Sequence, residues 1–284
     1  NFVKIKEMLS DPLSNDLMYG FDNLSKSLQS RFRIETISEI DLTADHFLAL
    51  AEYTGNVNYQ SPESLVYWQK KKINLSAIID EMVRKIFGRS IYFPNLYIGE
   101  RGLNTNFGIA SLRVPSAIYQ AIQAVKMGAN ICEIGPGLGR TAYFANLLGA
   151  KKYTLVDLPI SCLSSGYFLI NSLPGVQFSF SGEDDIEEGI EFRDPNIFFE
   201  GSSKYDLILN VDSLTEIGID LARKYLKEVI KRANYFFSIN HEGNEFTVRK
   251  LAEEFNELKL LSRSRSWIRP GYVEEIFAVQ NTSE

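Results

Sequence analysis

Apolar positions recur at helical spacing in the first part of the chain. The clearest predicted helix runs from Asn74 to Phe87, with apolar residues three and four positions apart. Asn74 can cap its start and Gly88 can close its end. Another helix is predicted to begin at Ser61, where an N-cap residue is followed by proline. We therefore expect residues 1–112 to form a mainly helical region that serves substrate recognition or oligomerisation.

Beyond residue 113 the pattern changes to short apolar runs that alternate with helical segments. A helix over 116–127 is followed by seven predicted strands: 131–134, 153–156, 176–180, 205–211, 235–239, 258–261 and 276–279. Strands that alternate with helices predict a parallel sheet covered by helices on both faces. Ligands of such α/β domains bind at the carboxyl ends of the strands, so functional residues are expected just after the apolar runs of 113–284.

One acidic segment, 182–204, interrupts this rhythm with eight carboxylates against two basic residues. Such a run is typical of a solvated surface loop. Because residues 182–195 offer few apolar anchors, we expect them to be mobile without a ligand and their start to close over a bound cofactor.

Composition and charge exclude several classes of protein. Of the 284 residues, 45% are hydrophobic and 23% charged, which excludes a mostly disordered or fibrous chain. The net charge of -6 disfavours a general nucleic-acid binder. Two cysteines imply no disulfide framework. With no apolar run long enough for a membrane span and no signal-peptide pattern, we expect a cytoplasmic protein without membrane insertion.

The strongest candidate site is the glycine-rich turn after the first apolar run, Glu133-Ile134-Gly135-Pro136-Gly137-Leu138-Gly139. Glycine lets the backbone turn sharply and approach a ligand without a Cβ in the way. The Gly-x-Gly-x-Gly spacing differs from the Gly-x-Gly-x-x-Gly of a dinucleotide site. Asp157 ends the next run, where a carboxylate can accept hydrogen bonds from both hydroxyls of a ribose.

Charge helps to choose the ligand of this turn. A dinucleotide brings an anionic pyrophosphate, which favours backbone N–H groups and positive potential. S-adenosylmethionine (SAM) instead carries a sulfonium and an ammonium group. A cleft edged by Glu133, Asp157 and Glu183 suits these cations better, so a nicotinamide-dependent oxidoreductase is the weakest alternative.

Residues 129–281 resemble the class I SAM-dependent methyltransferases, with the glycine turn as first motif and Asp157 as second. Four stretches more narrowly resemble the bacterial sugar O-methyltransferase family of polysaccharide biosynthesis: 133–140, 155–159, 210–216 and 235–240. The resemblance implies an α/β, Rossmann-like sheet of seven strands, the last antiparallel, with a mainly helical N-terminal part. The residues expected to bind SAM are Glu133, Gly135, Pro136, Gly137, Gly139, Asp157, Leu158, Gly182, Glu183 and Asn210.

The segment after the fourth predicted strand discriminates among acceptors. Enzymes that methylate exocyclic amines of nucleic acids carry an Asn/Asp-Pro-Pro-aromatic motif there, whereas this chain reads Asn210-Val211-Asp212-Ser213. No Pro-Cys pair offers the nucleophile of a cytosine C5 enzyme, and Cys132 lies inside the first strand. We therefore predict no nucleic-acid acceptor.

Methylation of a hydroxyl calls for a base, or for a metal that lowers the pKa of the acceptor. His241 follows the fifth predicted strand, at the edge where the substrate is expected, whereas His46 belongs to an N-terminal helix. Catalytic candidates are His241, Asp212, Glu216 and Glu242. These acids can orient the histidine or hold Mg²⁺ or Mn²⁺, or the histidine can bond to backbone while the acids cap helices.

Three functions follow from this pattern. The first is an O-methyltransferase for a sugar or a sugar-containing small molecule, which can form a homo-oligomer. The second is a methyltransferase for a non-sugar natural product, and the third is a silent SAM-fold subunit with the acidic segment as its partner interface. Candidate walls of a sugar site are Tyr92, Phe93, Tyr97, Arg101, Asn104, Asn106, Phe107, Arg113, Trp267, Ile268, Arg269 and Pro270.

Overall fold

The computed structural model describes residues 39–59, 74–96 and 102–280. The chain divides into two compact units between Tyr119 and Gln120. The predicted helix at Ser61, together with Tyr97 and Arg101, lies outside the described residues. No helix within the described ranges combines the length and apolar character that crossing a bilayer requires.

The described part of the first unit is mainly helical. The predicted helix over 74–87 is confirmed: the Asn74 side chain accepts a hydrogen bond from the Ala77 N–H at 3.2 Å, and Gly88 ends the helix with a φ of 65°. The elements of this unit are α1 (Glu39–Tyr53), α2 (Leu75–Phe87), β1 (Leu103–Thr105), β2 (Gly108–Ala110) and the start of α3 (Arg113–Met127).

Several aromatic candidates for a sugar site pack inside this unit. Phe93 lies between Phe47 and Phe107, with ring centroids 6.1 and 5.6 Å apart, and all three rings are buried. Asn106 donates a hydrogen bond to the Asp80 carboxylate at 2.6 Å. These side chains therefore stabilise the unit itself, whereas Tyr92 is exposed.

The second unit is an α/β domain. Its strands are β3 (Asn130–Ile134), β4 (Lys152–Val156), β5 (Phe178–Ser179), β6 (Gly189–Arg193), β7 (Tyr205–Val211), β8 (Ala233–His241), β9 (Leu258–Arg265) and β10 (Tyr272–Val279). Its helices after α3 are α4 (Arg140–Leu147), α5 (Pro159–Ser172), α6 (Pro195–Glu200), α7 (Ile219–Arg232) and α8 (Val248–Ala252).

The strands of this unit form one sheet in the order β5-β6-β4-β3-β7-β8-β10-β9. Neighbouring strands from β5 to β8 are parallel, and β10 is antiparallel to both of its neighbours. The predicted Rossmann-like α/β fold, with its last strand antiparallel, is confirmed. The sheet has eight strands instead of the expected seven, because β6 was not predicted; the predicted strand over 176–180 is the two-residue strand β5 at the edge.

The prediction of a solvated surface loop is wrong for residues 189–200 of the acidic segment, whereas residues 182–188 contain no helix or strand and are mostly exposed. The segment contains β6, in which all five residues are buried, and the helix α6. Ile190 and Phe192 are fully buried, and β6 lies between β5 and β4 in the parallel part of the sheet. Part of the interface predicted for a silent subunit is therefore core, and most of its exposed carboxylates lie in 182–188.

Two charged side chains of β6 are buried because they pair. Glu191 is 1% exposed, and its Oε1 lies 3.0 Å from Lys152 Nζ and 3.2 Å from Arg193 Nη2. The same carboxylate accepts hydrogen bonds from the Ile186 N–H and the Thr154 hydroxyl. These contacts compensate the loss of hydration that burying a carboxylate entails.

We predict that Glu191→Ala lowers the free energy of unfolding by about 3–5 kcal/mol, because it leaves the buried Arg193 and the partly buried Lys152 without their shared partner. Urea unfolding followed by circular dichroism measures this change. Glu188→Ala, at an exposed glutamate of the same segment, is the control and should change stability by less than about 0.5 kcal/mol. Equal effects of the two substitutions would contradict the role of the buried network.

Candidate functional site

The glycine turn joins β3 to α4 at the carboxyl edge of the sheet. Gly135, Gly137 and Gly139 all have positive φ, at 71°, 57° and 75°. The Gly135 N–H donates to the Val156 carbonyl of the neighbouring strand at 2.9 Å. Residues with a Cβ rarely adopt this backbone conformation, so the turn depends on its three glycines.

Two of these glycines are also required by close packing. A Cβ at Gly135 would overlap the Ser213 hydroxyl, which lies after β7. A Cβ at Gly139 would lie 2.9 Å from Leu169 Cδ1 and 3.0 Å from Leu155 Cδ2. The absence of a side chain at Gly135 therefore leaves room for the loop after β7, and its absence at Gly139 lets α4 pack closely against β4 and α5.

Asn210 braces the strand ends around this turn. Its side-chain amide donates to the Ile134 carbonyl at 3.0 Å and to the Ser213 hydroxyl at 2.6 Å. Its side-chain oxygen accepts from the Asn240 amide at 2.9 Å and from the Leu214 N–H at 3.3 Å. The predicted cofactor residue Asn210 is thus fully buried and bonded to β3, to β8 and to its own loop.

Asp157 lies at the end of β4 beside the glycine turn. Its carboxylate accepts hydrogen bonds from the Leu158 N–H at 2.7 Å, from the Ser161 side chain and from the Gly137 N–H. Burial raises the pKa of this carboxyl, while the three hydrogen bonds act in the opposite direction. Leu158, the next residue, is 60% exposed.

Glu133 does not line an open cleft but lies inside β3, 2% exposed. Its carboxylate accepts a hydrogen bond from the buried Tyr153 hydroxyl at 2.8 Å. The pKa of Glu133 is raised to about 7: burial and the charge of Asp157 raise it, while the Tyr153 hydrogen bond lowers it. The two predicted acids therefore interact electrostatically at the strand ends.

The structure changes which residues follow the third strand. Gly182 and Glu183 follow the edge strand β5, and the Glu183 carboxylate accepts from the Phe180 N–H at 2.7 Å. Asp194 follows β6, the strand beside β4, and caps α6 by accepting from the Asn196 N–H at 2.9 Å. The sequence analysis missed this position, although Asp194-Pro195 is a helix-start signal.

A second group of site residues lies at the ends of β7 and β8. Asp212 Oδ1 lies 3.8 Å from His241 Nε2, and ligand atoms of Asp212, Glu216 and His241 lie within 4.8 Å of one another. Burial and the charge of Asp212 raise the pKa of Glu216, while His241 and Arg269 lower it. Three of the four predicted catalytic residues are therefore brought together.

The backbone of Asp212 adopts a φ of 57°, the only positive φ outside glycine within the described ranges. Its N–H donates to the Ile239 carbonyl of β8 at 2.9 Å. Such a conformation costs free energy and persists where surrounding contacts hold it. This strained residue marks the loop after β7 as a functional candidate.

Sequence reasoning assigned no catalytic part to the two side chains that hold Asp212. Arg269 Nη2 and the Tyr272 hydroxyl both donate to Asp212 Oδ2 at 2.8 Å. The guanidinium of Arg269 lies 3.7 Å over the Tyr272 ring, and that ring packs edge-on against His241. Tyr272 pairs with His241 across β10 and β8, a register that no sequence pattern indicates.

Glu242 is engaged elsewhere. Both of its carboxylate oxygens accept from Arg263 Nη2 on β9 at 2.9 Å, while Nη1 of the same guanidinium donates to Glu275. His241 Nδ1 accepts from the Gly243 N–H at 3.2 Å, so in the neutral ring the proton resides on Nε2. Among the four candidates, Glu242 is thus the one whose contacts lie outside the group around His241.

The predicted Mg²⁺ or Mn²⁺ site can be tested against these contacts. A carboxylate pair with a histidine is a donor set suited to Mn²⁺ more than to Mg²⁺. Asp212 Oδ2, however, is already bonded to a cation and to a hydroxyl donor. Asp212 Oδ1 is buried without a hydrogen-bond partner, so a single oxygen of this residue is uncommitted.

Comparison with protein-family models and with curated proteins finds no match to this chain. Solved structures share the fold at low identity. The magnesium protoporphyrin IX methyltransferase of Synechocystis PCC 6803, with bound SAM, is 13% identical with a TM-score of 0.44, over 87% of this chain and 100% of that one.

Two further solved structures are similar to the same extent. A TehB-like SAM-dependent methyltransferase from Corynebacterium glutamicum is 15% identical with a TM-score of 0.44, over 58% of this chain and 88% of that one. The ribosomal protein L11 methylase of Lactobacillus delbrueckii is 12% identical with a TM-score of 0.44, over 66% and 90%. At these values no function is carried over, and the fold assignment rests on the strand order of this chain.

The raised pKa of Glu133 predicts how stability depends on pH. Between its ordinary value of 4.5 and about 7, the folded protein holds a proton that the unfolded chain has lost. Stability due to this residue is therefore present below pH 4.5 and is lost as pH rises to about 7. Glu133→Gln should become the more stable protein by up to about 3 kcal/mol above pH 7.

Urea unfolding of wild type and Glu133→Gln between pH 5 and pH 8 measures this difference. Glu188→Gln, at an exposed glutamate, is the matched control and should show no such trend. A stability difference that stays constant over this pH range would show that Glu133 ionises normally in the folded protein.

Proposed function

We propose that this protein is a SAM-dependent O-methyltransferase. The observation that carries the proposal is the position of Asp157 beside the glycine turn: the Gly135 N–H of the turn donates at 2.9 Å to the carbonyl of Val156, the residue before Asp157. This bond holds a carboxylate beside a turn that glycines keep free of side chains. In this proposal Asp157 holds the ribose of SAM, and the exposed Leu158 offers an apolar surface to the adenine.

Charge supports a cationic cofactor over a dinucleotide. The strand ends around the turn carry Glu133, Asp157 and Asp194, whereas the nearby Arg193 is bonded to Glu191 and Asp185. Arg140, at the start of α4, is buried with its guanidinium over the Phe168 ring. The described contacts thus present no uncommitted cation for a pyrophosphate, while the Asp157 carboxylate at the end of β4 favours a cationic ligand.

SAM, when bound, supplies a methyl group activated by its sulfonium. The chain must then orient an acceptor hydroxyl and take up its proton. We assign that proton transfer to His241, with Asp212 beside its Nε2 and Glu216 within the same group. Moving the ring proton from Nε2 to Nδ1 breaks the bond from Gly243, a loss of about 1 kcal/mol, and frees Nε2 as a base.

A sugar is the acceptor that the surroundings of His241 favour. Sugar rings bind to planar polar groups together with aromatic faces. The turn between β9 and β10 supplies Arg269 to Asp212, and the same turn carries Trp267, which is 46% exposed. An exposed tryptophan two residues from a site contact is a suitable surface for the apolar face of a sugar.

The cofactor assignment predicts binding of S-adenosylhomocysteine and no binding of NAD by calorimetry. Asp157→Ala should weaken binding of S-adenosylhomocysteine by about 2–4 kcal/mol, because charge-assisted bonds to the ribose are lost. Gly137→Val should abolish binding, because a branched side chain enters the turn at a φ of 57°.

Matched variants separate these effects from general destabilisation. Gly149→Val places the same side chain at a φ of 98° in a turn with open space, and Asp220→Ala removes an exposed aspartate that pairs with Arg223. Both controls should bind S-adenosylhomocysteine as wild type does. Unchanged affinity in Asp157→Ala and Gly137→Val, or tight binding of NAD, would refute the assignment.

The base assignment predicts that His241→Ala lowers turnover by about 10²-fold or more. Affinity for S-adenosylhomocysteine should stay nearly unchanged, because His241 lies in the group after β7 and β8 rather than at the glycine turn. Transfer of labelled methyl groups from SAM to a panel of sugars and nucleotide sugars identifies the acceptor and measures the rate.

Glu245→Gln, at an exposed glutamate four residues beyond His241, is the control and should retain full turnover. If His241→Ala keeps the wild-type rate with the identified acceptor, another group takes the proton. Glu216→Gln then tests the carboxylate whose pKa is raised beside Asp212.

A further inference from the structure

The group at the ends of β7 and β8 already contains a cation. Arg269 is largely buried, and its Nη2 lies 2.8 Å from Asp212 Oδ2. Its guanidinium also stacks 3.7 Å over the Tyr272 ring, whose hydroxyl bonds to the same oxygen. The position of the charge is therefore set by a bond and by an aromatic ring rather than by a flexible surface contact.

This arrangement affects every ligand that Asp212 could bind. A divalent ion shared by Asp212, Glu216 and His241 would lie close to the guanidinium, and two like charges repel strongly at such a separation. One oxygen of Asp212 has two hydrogen-bond donors, so the residue cannot bind a metal through both oxygens without losing them. The contacts are those of a hydrogen-bonded carboxylate.

We infer that Arg269 takes the place that a divalent metal would hold, and that Asp212, Glu216 and His241 act without one. Arg269 offsets one of the two carboxylate charges, and together with Tyr272 it holds Asp212 through Oδ2. Oδ1 is thereby left facing His241 Nε2. Arg269 and Tyr272 are positioning residues in this account. Their part in the reaction rests on the proposed function, whereas the metal-binding test does not depend on it.

The test is the binding of Mn²⁺ alone, followed by the loss of the electron paramagnetic resonance signal of the free ion. Wild type should bind Mn²⁺ weakly, with a Kd above about 1 mM. Arg269→Met should bind at least about tenfold more tightly, because it removes the repelling charge from the three ligands. The double variant Arg269→Met/Asp212→Asn should return to weak binding, since it lacks the central carboxylate.

Two further variants make the result specific. Arg265→Met removes an exposed arginine of β9 and should bind Mn²⁺ as wild type does. Arg269→Gln keeps a hydrogen-bond donor but no charge, and should bind Mn²⁺ more tightly than wild type if charge is what excludes the ion. It also replaces Arg269→Met if thermal unfolding shows that the methionine variant does not fold.

Two results would overturn the inference. One is wild-type binding of Mn²⁺ with a Kd below about 10 µM that Asp212→Asn abolishes, which would identify a resident metal site. The other is that Arg269→Met and Arg269→Gln both fold but bind Mn²⁺ no more tightly than wild type. None of these measurements uses SAM or an acceptor, so failure of the methyltransferase assignment would appear in calorimetry and leave this result unaffected.

Discussion

The hydrogen bonds of Asn210 join the two halves of the candidate site. Its side-chain nitrogen donates to the last carbonyl of β3 and to the hydroxyl of Ser213, and its side-chain oxygen accepts from Asn240 near the end of β8. Ser213 in turn occupies the space that a Cβ at Gly135 would need. The glycine turn and the loop carrying Asp212 therefore depend on each other for their positions. A buried amide is well suited to hold both, because it offers two donor hydrogens and an acceptor oxygen.

Charge is arranged differently at the two halves. At the glycine turn, Glu133 and Asp157 interact across neighbouring strands, and burial holds the pKa of Glu133 near neutrality. At the ends of β7 and β8, Arg269 offsets the acids directly. The first half thus offers the Asp157 carboxylate to a cationic ligand, whereas in the second half Arg269 offsets one of the two carboxylate charges. This division fits a cofactor that brings positive charge and an acceptor that brings none.

Errors of the sequence analysis occur where tertiary contacts override local pattern. The acidic run of 182–204 favours a solvated surface loop, because a run of like charges with few apolar anchors is usually exposed. Lys152 of a neighbouring strand and Arg193 satisfy Glu191, so a charged residue can lie in the core of β6. Pairing of that kind depends on which strands are neighbours, and composition carries no such information. Because β6 lies between β5 and β4, Gly182 and Glu183 follow a strand that is not the neighbour of β4.

The sequence by itself determined the α/β fold, the glycine turn and the positions of Asp157, Asp212, Glu216 and His241 at strand ends. These features follow from periodicity and from backbone conformations that only glycine adopts readily, both of which are local properties. Only the tertiary structure decided that Glu133 is buried against Tyr153 and that Glu242 pairs with Arg263. It also decided that Arg269 and Tyr272 hold Asp212, because antiparallel pairing of β10 with β8 brings together residues about 30 to 60 positions apart in sequence.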